Sequence, residues 1–501
     1  MRSKVKILFF AVWFCFQSFS CFADWEFPPI DLSNNTQIGT EPQIAMDSAG
    51  NGIAVWQWND GGTTTVIQTS RYDATAGSWT AVETLSENTQ DAYDPQIAMD
   101  PAGNGIAVWR WRDGGTTGVI QASRYDATAG SWTSIPEVET LSNNTQNSNN
   151  HQIAMDPAGN GIAVWFWQDG GATPVIQASR YDATSGSWTP VSEVETLSDN
   201  TQNAFFPQIA MDSAGNGIAV WMWQDGGTAY VIQTSRYDAT ADSWTPISEV
   251  ETLSDNTQGA GSPQIAMDSA GNGIAVWQWQ DGGTGNGVVQ TSRYDATADS
   301  WTPIPEVETL SDNTQTIGRP QIAMNAAGNG IAVWQWQDGG TTYVIQTSRY
   351  EATAGSWTPI SEVVTLSSNT QNAESPQIAM DPAGNGISVW GWYDDETGKD
   401  VIQTLLFSPD FVISSLSAYK KMYRFPTQGD LIDLLTWDAT EGAVSYQIYL
   451  DANLTMLIGK VEASENPCFK VHGRYPNKKT TYYVVVIDEN GNRSEPASIT
   501  I

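Results

Sequence analysis

The sequence contains very few cysteine and histidine residues. Cys15 and Cys21 fall in an N-terminal segment that we expect to be removed, so Cys468 remains alone and cannot form an intramolecular disulfide. The two histidines, His151 and His472, are too few for a zinc–thiolate site, a His-based metal site or a Ser-His-Asp triad. We therefore expect a fold that is held together by packing alone, without a metal ion or another cofactor.

Basic residues are also scarce, with 22 Lys and Arg against 56 Asp and Glu. The imbalance lies in residues 24–409, which hold 10 basic and 45 acidic side chains (10 − 45 = −35), whereas residues 410–501 hold 9 and 11 (9 − 11 = −2). Such a surface repels phosphate backbones and anionic lipids, so we expect no nucleic-acid partner. The charge also suits the solubility of an exported protein.

Long apolar runs are absent except at the N-terminus. Residues 7–16 are apolar and follow a basic start, and Cys21-Phe22-Ala23 provides a cleavage site, so residues 1–23 are predicted to be a signal peptide and not a buried helix. The run is too short to span a membrane. The mature protein is expected in the periplasm, at the cell surface or outside the cell. A lipid anchor at Cys21 is the alternative, although Ser18 replaces the aliphatic residue of a lipobox.

The sequence contains seven copies of one unit. The methionines of its Ala-Met-Asp or Ala-Met-Asn phrase are spaced by 53 to 57 residues, at positions 46, 99, 155, 211, 267, 324 and 380. Each unit contains four short segments rich in Val, Ile, Trp, Tyr and Thr, separated by Asp-x-Ala-Gly-Asn and Asp-Gly-Gly turns. This pattern predicts an all-β fold, a seven-bladed β-propeller of four-stranded blades over residues 24–409. A β-helix is the alternative, but its coils are shorter and lack an internal hairpin.

The two ends of the repeat region complement each other. Six copies contain a Ser-Trp-Thr fourth strand, and the seventh copy departs after Thr404 without one. The missing tryptophan stands at the mature N-terminus, where Trp25 precedes residues 30–33. We therefore expect the N-terminal strand to complete the last blade and close the ring.

Each copy contains a Trp-x-Trp pair in its second strand. Trp56 and Trp58 lie two apart and so share one face of the strand, while Ile53 and Val55 share the other. Because blades pack face against face, we expect these tryptophans in the core between blades. Stacking on sugars is the functional alternative.

Residues 410–501 lack the repeat. Trp437, the Tyr446–Tyr449 segment and the Tyr482-Tyr483-Val484-Val485-Val486 strand before an Asp-Glu-Asn-Gly-Asn-Arg-Ser hairpin follow in order. This region resembles a fibronectin type III domain, in which Tyr482 matches the corner tyrosine. The resemblance implies a β-sandwich that acts as a spacer or adhesive appendage.

The segment from Ser70 to Thr80 resembles the Asp-box of sialidase-type propellers, although three residues separate Asp73 from Gly77 where that family has one. The Asp-box is structural in that family, so the resemblance implies a fold and no activity. Sialidases also need an arginine triad, a tyrosine nucleophile and its glutamate partner. Six of the ten basic residues of the propeller region are the repeated arginine of this segment, as at Arg71, so we do not expect a sialidase.

Most acidic residues also repeat from copy to copy. The Asp-Gly-Gly aspartates and the Asp47 set are interpreted as turn residues, and the Asp47 turn lacks the alternating acids of a calcium loop. A catalytic acid pair would have to be unique to single copies. The unique acids form a short list, Glu41, Asp91, Asp94 and Glu374.

The copies differ at one end of the blades. The Asp-x-Ala-Gly-Asn turn and the Arg-Tyr-Asp connection share one end, which we call the constant face. The loop after Asn-Thr-Gln and the tip after Asp-Gly-Gly share the other end, the variable face. Loops on a rigid scaffold often carry binding residues. The predicted ligand-binding residues on the variable face are Tyr93, Arg112, His151, Phe205, Phe206, Tyr230, Arg319, Tyr343 and Tyr393; unrestrained drift of the loops is the alternative.

These features predict an exported, monomeric, non-enzymatic binding or adhesion protein that recognises a protein or carbohydrate ligand. Two alternatives stay open, a polysaccharide-acting glycoside hydrolase or lyase that uses an acid pair, and a structural surface scaffold. Fold alone does not decide among them.

Overall fold

The structure is a computed structural model. It describes Leu32, residues 39–407 apart from short stretches at 60, 62–63, 113, 115–116, 169–172, 228, 281, 283–285, 341, 383 and 395–398, and residues 417–424, 429–437, 443–450, 457–462, 468–471, 479–488 and 497–500. The chain divides into two compact units, one of residues 31–407 and one that includes residues 408–501.

The first unit consists of seven antiparallel sheets in which each strand pairs with the next one along the chain. The first strands of neighbouring blades contact one another and are therefore the inner strands. They are Gly39–Met46, Ala92–Met99, Ser148–Met155, Ala204–Met211, Ala260–Met267, Ile317–Met324 and Ala373–Met380. The second strands are Gly52–Asn59, Gly105–Arg112, Gly161–Gln168, Gly217–Gln224, Gly273–Gln280, Gly330–Gln337 and Gly386–Asp394. The third strands are Thr65–Asp73, Gly118–Asp126, Pro174–Asp182, Tyr230–Asp238, Gly287–Asp295, Tyr343–Glu351 and Lys399–Phe407.

The outer strand of the first six blades is split into two short pieces that both pair with the third strand. The pieces are Ser78–Trp79 with Glu83–Thr84, Ser131–Trp132 with Glu139–Thr140, Ser187–Trp188 with Glu195–Thr196, Ser243–Trp244 with Glu251–Thr252, Ser300–Trp301 with Glu308–Thr309, and Ser356–Trp357 with Val364–Thr365. A short 3₁₀ turn lies between the pieces in blades two to six, at Ile135–Glu137, Val191–Glu193, Ile247–Glu249, Ile304–Glu306 and Ile360–Glu362.

The Asp-x-Ala-Gly-Asn turn joins the first and second strands at the constant face. In blade four, Asp212 Oδ1 accepts hydrogen bonds from the backbone N–H groups of Ala214 and Asn216, each at 2.8 Å. The Asn216 amide donates to Asp212 Oδ2, and its own oxygen accepts from the N–H of Ala239 in the next turn. Gly215 adopts a φ of 87°, a left-handed conformation that favours glycine. The interpretation of this aspartate as a turn residue is therefore supported by its contacts; several Asp-Gly-Gly aspartates, including Asp60 and Asp113, lie outside the described residues.

The core lies between the blades. The second-strand Ile and Val residues of one blade, such as Ile162 and Val164, pack against Trp221 and Tyr237 of the next blade. The first tryptophan of each Trp-x-Trp pair is buried, and in six blades its indole N–H donates to a glutamine on the third strand, as Trp165 does to Gln177 at 3.2 Å. The core interpretation of these tryptophans is supported by this packing, because their polar edge is satisfied within the blade.

The predicted fold class is confirmed, since the described residues form an all-β protein of repeated antiparallel sheets followed by a sandwich. The N-terminal strand with Trp25 that is predicted to close the ring lies outside the described residues. The flanks that closure would bring together are exposed, at Ile44 and Met46 of blade one and at Ile387 and Leu405 of blade seven. Closure by that strand therefore stays a prediction.

The C-terminal unit is a sandwich of two antiparallel sheets. Ser417–Arg424, Gly429–Thr436 and Cys468–Val471 form one sheet in that order, and Leu457–Glu462, Ala443–Tyr449, Thr481–Asp488 and Ala497–Thr500 form the other. Tyr482, Val484 and Val486 are fully buried on one face of their strand, and the Trp437 and Tyr446 rings lie 5.1 Å apart. The β-sandwich is confirmed; its assignment to the fibronectin type III family stays a prediction.

The predicted signal peptide of residues 1–23, including Cys21, lies outside the described residues. In the part of the chain that is described, no helix has the length and apolar character needed to cross a membrane. The same part contains no group of three His, Cys, Asp or Glu side chains placed to hold a metal ion.

Candidate functional site

Every first strand contains a β-bulge near the variable face. The register shifts between Phe205 and Gln208 in blade four and at the equivalent point in all seven blades. One non-glycine residue of each bulge has a φ of 48° to 56°, a left-handed conformation that costs about 1–2 kcal/mol per residue. These bulge residues are Glu41, Asp94, Asn150, Phe206, Ser262, Arg319 and Ser375. Bulges redirect side chains and are frequent beside functional sites, so these seven positions define the inner rim of the variable face.

An aromatic cluster lies at this rim where blades three and four meet. Phe205 lies 5.8 Å from Phe166 of blade three, 6.2 Å from Tyr230 and 6.3 Å from Phe206, between ring centroids. Phe206 is 49% exposed although it occupies a strained bulge position. Three of the predicted ligand-binding residues, Phe205, Phe206 and Tyr230, are therefore brought together.

The cluster borders a cleft of about 370 Å³, which we call the aromatic cleft. Its lining residues are Arg110, Asn147, Asn149, Phe166, Gln168, Pro174, Asn203 and Phe205. The side-chain oxygen of Asn147 accepts from the Gly118 N–H at 2.9 Å, and that of Asn149 accepts from the Asn150 N–H at 2.9 Å. Their amide NH₂ groups therefore remain as donors. The cleft combines aromatic faces with amides and one guanidinium, which is the composition of a site for a polar ligand with apolar faces.

Tyr93 and Arg112 form a second cluster on blade two. Arg112 Nη1 lies 3.8 Å from Asp91 Oδ2, and the guanidinium carbon lies 5.6 Å from the Tyr93 ring centroid. Burial raises the pKa of Tyr93, and its hydrogen bond to Asp91 raises it further. Asp91 Oδ1 also accepts from the Thr65 N–H at 2.9 Å. Asp91 thus links blade two to blade one, and it is not a free carboxylate that could form a catalytic pair.

The expectation that His151 faces a ligand is wrong, because His151 is buried and only 2% exposed. It occupies the slot after the bulge residue that holds proline in the six other blades, at Pro42, Pro95, Pro207, Pro263, Pro320 and Pro376. Burial lowers the pKa of the imidazole to about 4, although the carbonyls of Asp94 and Val108 act in the opposite direction. The ring therefore remains neutral and serves packing between blades.

The remaining predicted residues are distributed over other blades. Arg319 donates a hydrogen bond to Ser375, which joins the bulge residues of blades six and seven. Tyr343 is half-buried at the start of its third strand, where its N–H donates to Asn372 Oδ1 at 2.9 Å. The Tyr393 side chain lies outside the described residues. The predicted ligand-binding residues therefore form separate groups on different blades.

The middle residue of the Trp-x-Trp pair is not among the predicted ligand-binding residues. It points toward the next blade, where Phe166 meets Phe205, Met222 lies beside Gly261, and the Gln57 side chain accepts from the Asp94 N–H at 3.2 Å. The signal was present, because this position varies inside an otherwise repeated strand. Its seven residues are Gln57, Arg110, Phe166, Met222, Gln278, Gln335 and Gly391.

The repeated arginines lie at the constant face. Five of the six guanidinium groups lie over the tyrosine of the next blade, as Arg180 does over Tyr237 at 5.4 Å and Arg293 over Tyr350 at 4.9 Å. Some also pair with acids, as Arg180 does with Asp242 at 2.7 Å. They fasten neighbouring blades together, which agrees with their interpretation as fixed structural charges.

Comparisons with known proteins return solved structures only. A scan against protein-family models finds no match, and neither does a search of curated proteins. An α-L-arabinanase of Penicillium chrysogenum complexed with arabinobiose is 12% identical, with a TM-score of 0.40 and coverage of 66% of this chain and 97% of that one. An α-L-arabinofuranosidase of Fusarium graminearum is 12% identical, with a TM-score of 0.38 and coverage of 66% and 96%.

The sialidase Hz136, described as a Hadza microbial enzyme, is 12% identical, with a TM-score of 0.39 and coverage of 64% of this chain and 66% of that one. The prediction that the chain is not an enzyme is contradicted by these comparisons, because several of the structures that it resembles are glycosidases or sialidases. At such identities and TM-scores no substrate and no catalytic residue passes to this chain.

Proposed function

We propose that this protein acts on a carbohydrate chain that it binds at the variable face, with the aromatic cleft as the principal sugar-binding site. The observation that carries the proposal is the arrangement of Phe166, Phe205 and the two amides Asn147 and Asn149 around one cleft. A pyranose or furanose ring has apolar C–H faces and a polar hydroxyl edge. It packs on aromatic rings with its faces and bonds to amides with its edge.

The backbone strain of the bulge in blade four also favours a binding role for its aromatic residues. Phe206 keeps a large exposed ring on a backbone conformation that disfavours bulky residues. Blade five forms the same bulge with Ser262 preceded by Gly261. Because the fold needs no aromatic side chain at this point, Phe205 and Phe206 are better explained by a ligand than by folding.

For cleavage of a glycosidic bond, we assign the acid pair to Glu41 and Asp94. Both are exposed bulge residues at the equivalent position of adjacent blades, and the other five blades have no acid there. Adjacent bulge positions lie within one long side chain of each other, since Arg319 reaches Ser375. Two carboxyl groups separated by about 5–10 Å are what glycosidases need. Glu374 is exposed on blade seven, and Asp91 is engaged with Arg112 and Thr65.

Binding is tested with residues 24–501 against a panel of plant, algal and bacterial polysaccharides by affinity electrophoresis. A Phe205→Gly/Phe206→Ser variant carries the residues of blade five, so we expect it to keep its melting temperature. It is expected to lose affinity by about tenfold or more, because two stacking surfaces are removed. Equal binding by both proteins would place the site elsewhere, and no binding to any polymer would overturn the proposal.

Cleavage is tested on the polymers that bind, by the release of reducing ends. We expect Asp94→Asn and Glu41→Gln to bind as the parent does and to release products at least about 100-fold more slowly, since each loses one proton-transfer group. Product release that is unchanged in both variants would exclude this acid pair.

A further inference from the structure

The basic residues of the first unit are sorted between its two faces. Six of the ten in residues 24–409 are the repeated arginines of the constant face, as at Arg124. The other four are Arg110, Arg112, Arg319 and Lys399. Each lies at the variable-face end of a strand or on a bulge. A region with 35 excess negative charges therefore places all of its non-repeated cations at the proposed ligand face.

Arg110 differs from the other described arginines in its surroundings. It is half-buried, lines the aromatic cleft, and its Nε is buried with no hydrogen-bond partner. Within the described residues it forms neither an ion pair nor a side-chain hydrogen bond. Arg112 pairs with Asp91, and Arg71 and Arg319, which also lack an ion pair, donate to Tyr125 and Ser375. A partly buried guanidinium without a paired acid is costly, because it loses hydration and gains no charged partner in return.

The blade is shaped to hold this side chain. Arg110 lies against Gly118 at the start of the third strand, where an added Cβ would collide with its guanidinium. Most other blades carry a side chain at this point, at Thr65, Pro174, Tyr230 and Tyr343. The Gly118 N–H is capped by Asn147, which also lines the cleft. Arg110 and Gly118 thus form one recess that opens on the aromatic cleft.

We infer that the sugar bound in the aromatic cleft carries an anionic group, a carboxylate or a sulfate, and that Arg110 binds it. The inference rests on the proposed function and specifies its ligand class. Guanidinium groups form paired, charge-assisted hydrogen bonds with such oxyanions. Phe166 and Phe205 hold the ring while Arg110 selects its charge. Of the other cations at this face, Arg112 pairs with Asp91 and Arg319 bonds to Ser375, and the Lys399 side chain lies outside the described residues.

The test compares acidic polymers with neutral counterparts of the same backbone. The probes are polygalacturonate, alginate and hyaluronan, each beside its carboxyl-reduced form, and dextran sulfate beside dextran. Affinity electrophoresis of residues 24–501 is expected to show tighter binding of at least one acidic polymer. Arg110→Gln should weaken that binding by about 10- to 100-fold and leave neutral counterparts within about twofold, because only the charged hydrogen bonds are lost.

Controls separate this inference from the proposed function. Arg124→Gln removes the same charge from the constant face and is expected to leave the preference intact. Phe205→Gly should weaken binding of acidic and neutral polymers alike. Two outcomes would overturn the anionic ligand and leave the proposed function standing. One is a preference for acidic polymers that survives Arg110→Gln. The other is equal binding of acidic and neutral polymers that Phe205→Gly still weakens. Comparison of the carboxylated polymers with the sulfated polymer shows which of the two anions is bound.

Discussion

The constant and variable faces are two ends of the same strands, yet their polar side chains make different kinds of contact. At the constant face, Asp212 and Asn216 satisfy backbone groups of their own turn, and Arg236 lies 4.7 Å from the ring centroid of Tyr294 in the next blade. The contacts recur from blade to blade with nearly the same residues. The polar side chains at this end therefore stabilise the turns and connect neighbouring blades.

At the variable face, the backbone repeats but the side chains do not. All seven bulges share their register shift and their left-handed residue, while that residue ranges from Glu41 to Phe206 and Arg319. A repeated backbone with unrelated side chains is what a scaffold for recognition requires. Within one blade, the residues that the fold requires therefore lie at the constant face, and the residues that are free to differ for binding lie at the variable face.

The largest expected effect concerns His151, a blade-specific residue that is buried. An unfolded histidine titrates near 6.5, whereas burial lowers the pKa of His151 to about 4 in the folded protein. The unfolded state therefore binds the proton more readily, and stability falls as the pH decreases from about 6.5 to about 4, by about 3 kcal/mol in total. Above about pH 7 the group contributes no pH dependence.

His151→Pro installs the residue of the other six blades and should remove this loss. The free energy of unfolding is measured by denaturant titration of both proteins between pH 7 and 4. The quantity of interest is the difference between them, since acidic groups titrate in both. A constant difference over that range would contradict the buried neutral imidazole.

The next effect concerns the constant face. Asp212→Ala leaves the N–H groups of Ala214 and Asn216 and the Asn216 amide without their acceptor, and we expect a loss of about 2 kcal/mol in the free energy of unfolding. Blade six already uses Asn325, whose oxygen accepts the equivalent backbone bonds at 3.0 and 2.9 Å. Asp212→Asn is therefore the matched control and should lose less than half as much. Equal losses would mean that the carboxylate charge, and not the acceptor geometry, stabilises the turn.

The smallest effect concerns the strain at the variable face. Phe206→Gly relieves a left-handed φ of 51° and should leave the protein as stable as before or more stable by about 1 kcal/mol, while it weakens carbohydrate binding. Thermal unfolding and affinity electrophoresis on the same preparation check both parts. A clear loss of stability would show that the ring is needed for folding, and the two faces would then be less different than their side chains suggest.

Several features could be predicted from the sequence because they depend on local pattern. The Asp-x-Ala-Gly-Asn turn, the four strands and the burial of Trp221 follow from turn chemistry, β-propensity and repetition. The site was only partly predictable. Variation among the copies predicts Phe205, Phe206 and Tyr230 as site residues, whereas it does not predict Arg110 and Phe166, because they lie within a strand that the sequence indicates as core.

The error on His151 has a physical reason as well. The variation among copies predicts a loop of exposed residues, but the bulge turns Asn150 outward and the next side chain inward. A shift of one residue in a strand reverses the face of every side chain that follows. Alignment of His151 with the prolines of the other copies would have shown that it fills a structural slot.

The sequence by itself determined the repeat, the all-β architecture, the charge imbalance and the end of the blades at which the copies differ. These properties follow from spacing, composition and turn residues, which act within one unit. Only the tertiary structure decided which variable residues meet, since Phe166 and Phe205 lie on different blades and Arg110 reaches the same cleft from a third. Contacts between blades depend on the register of the bulge and on the packing angle of neighbouring sheets, and neither is encoded in the period of a single strand.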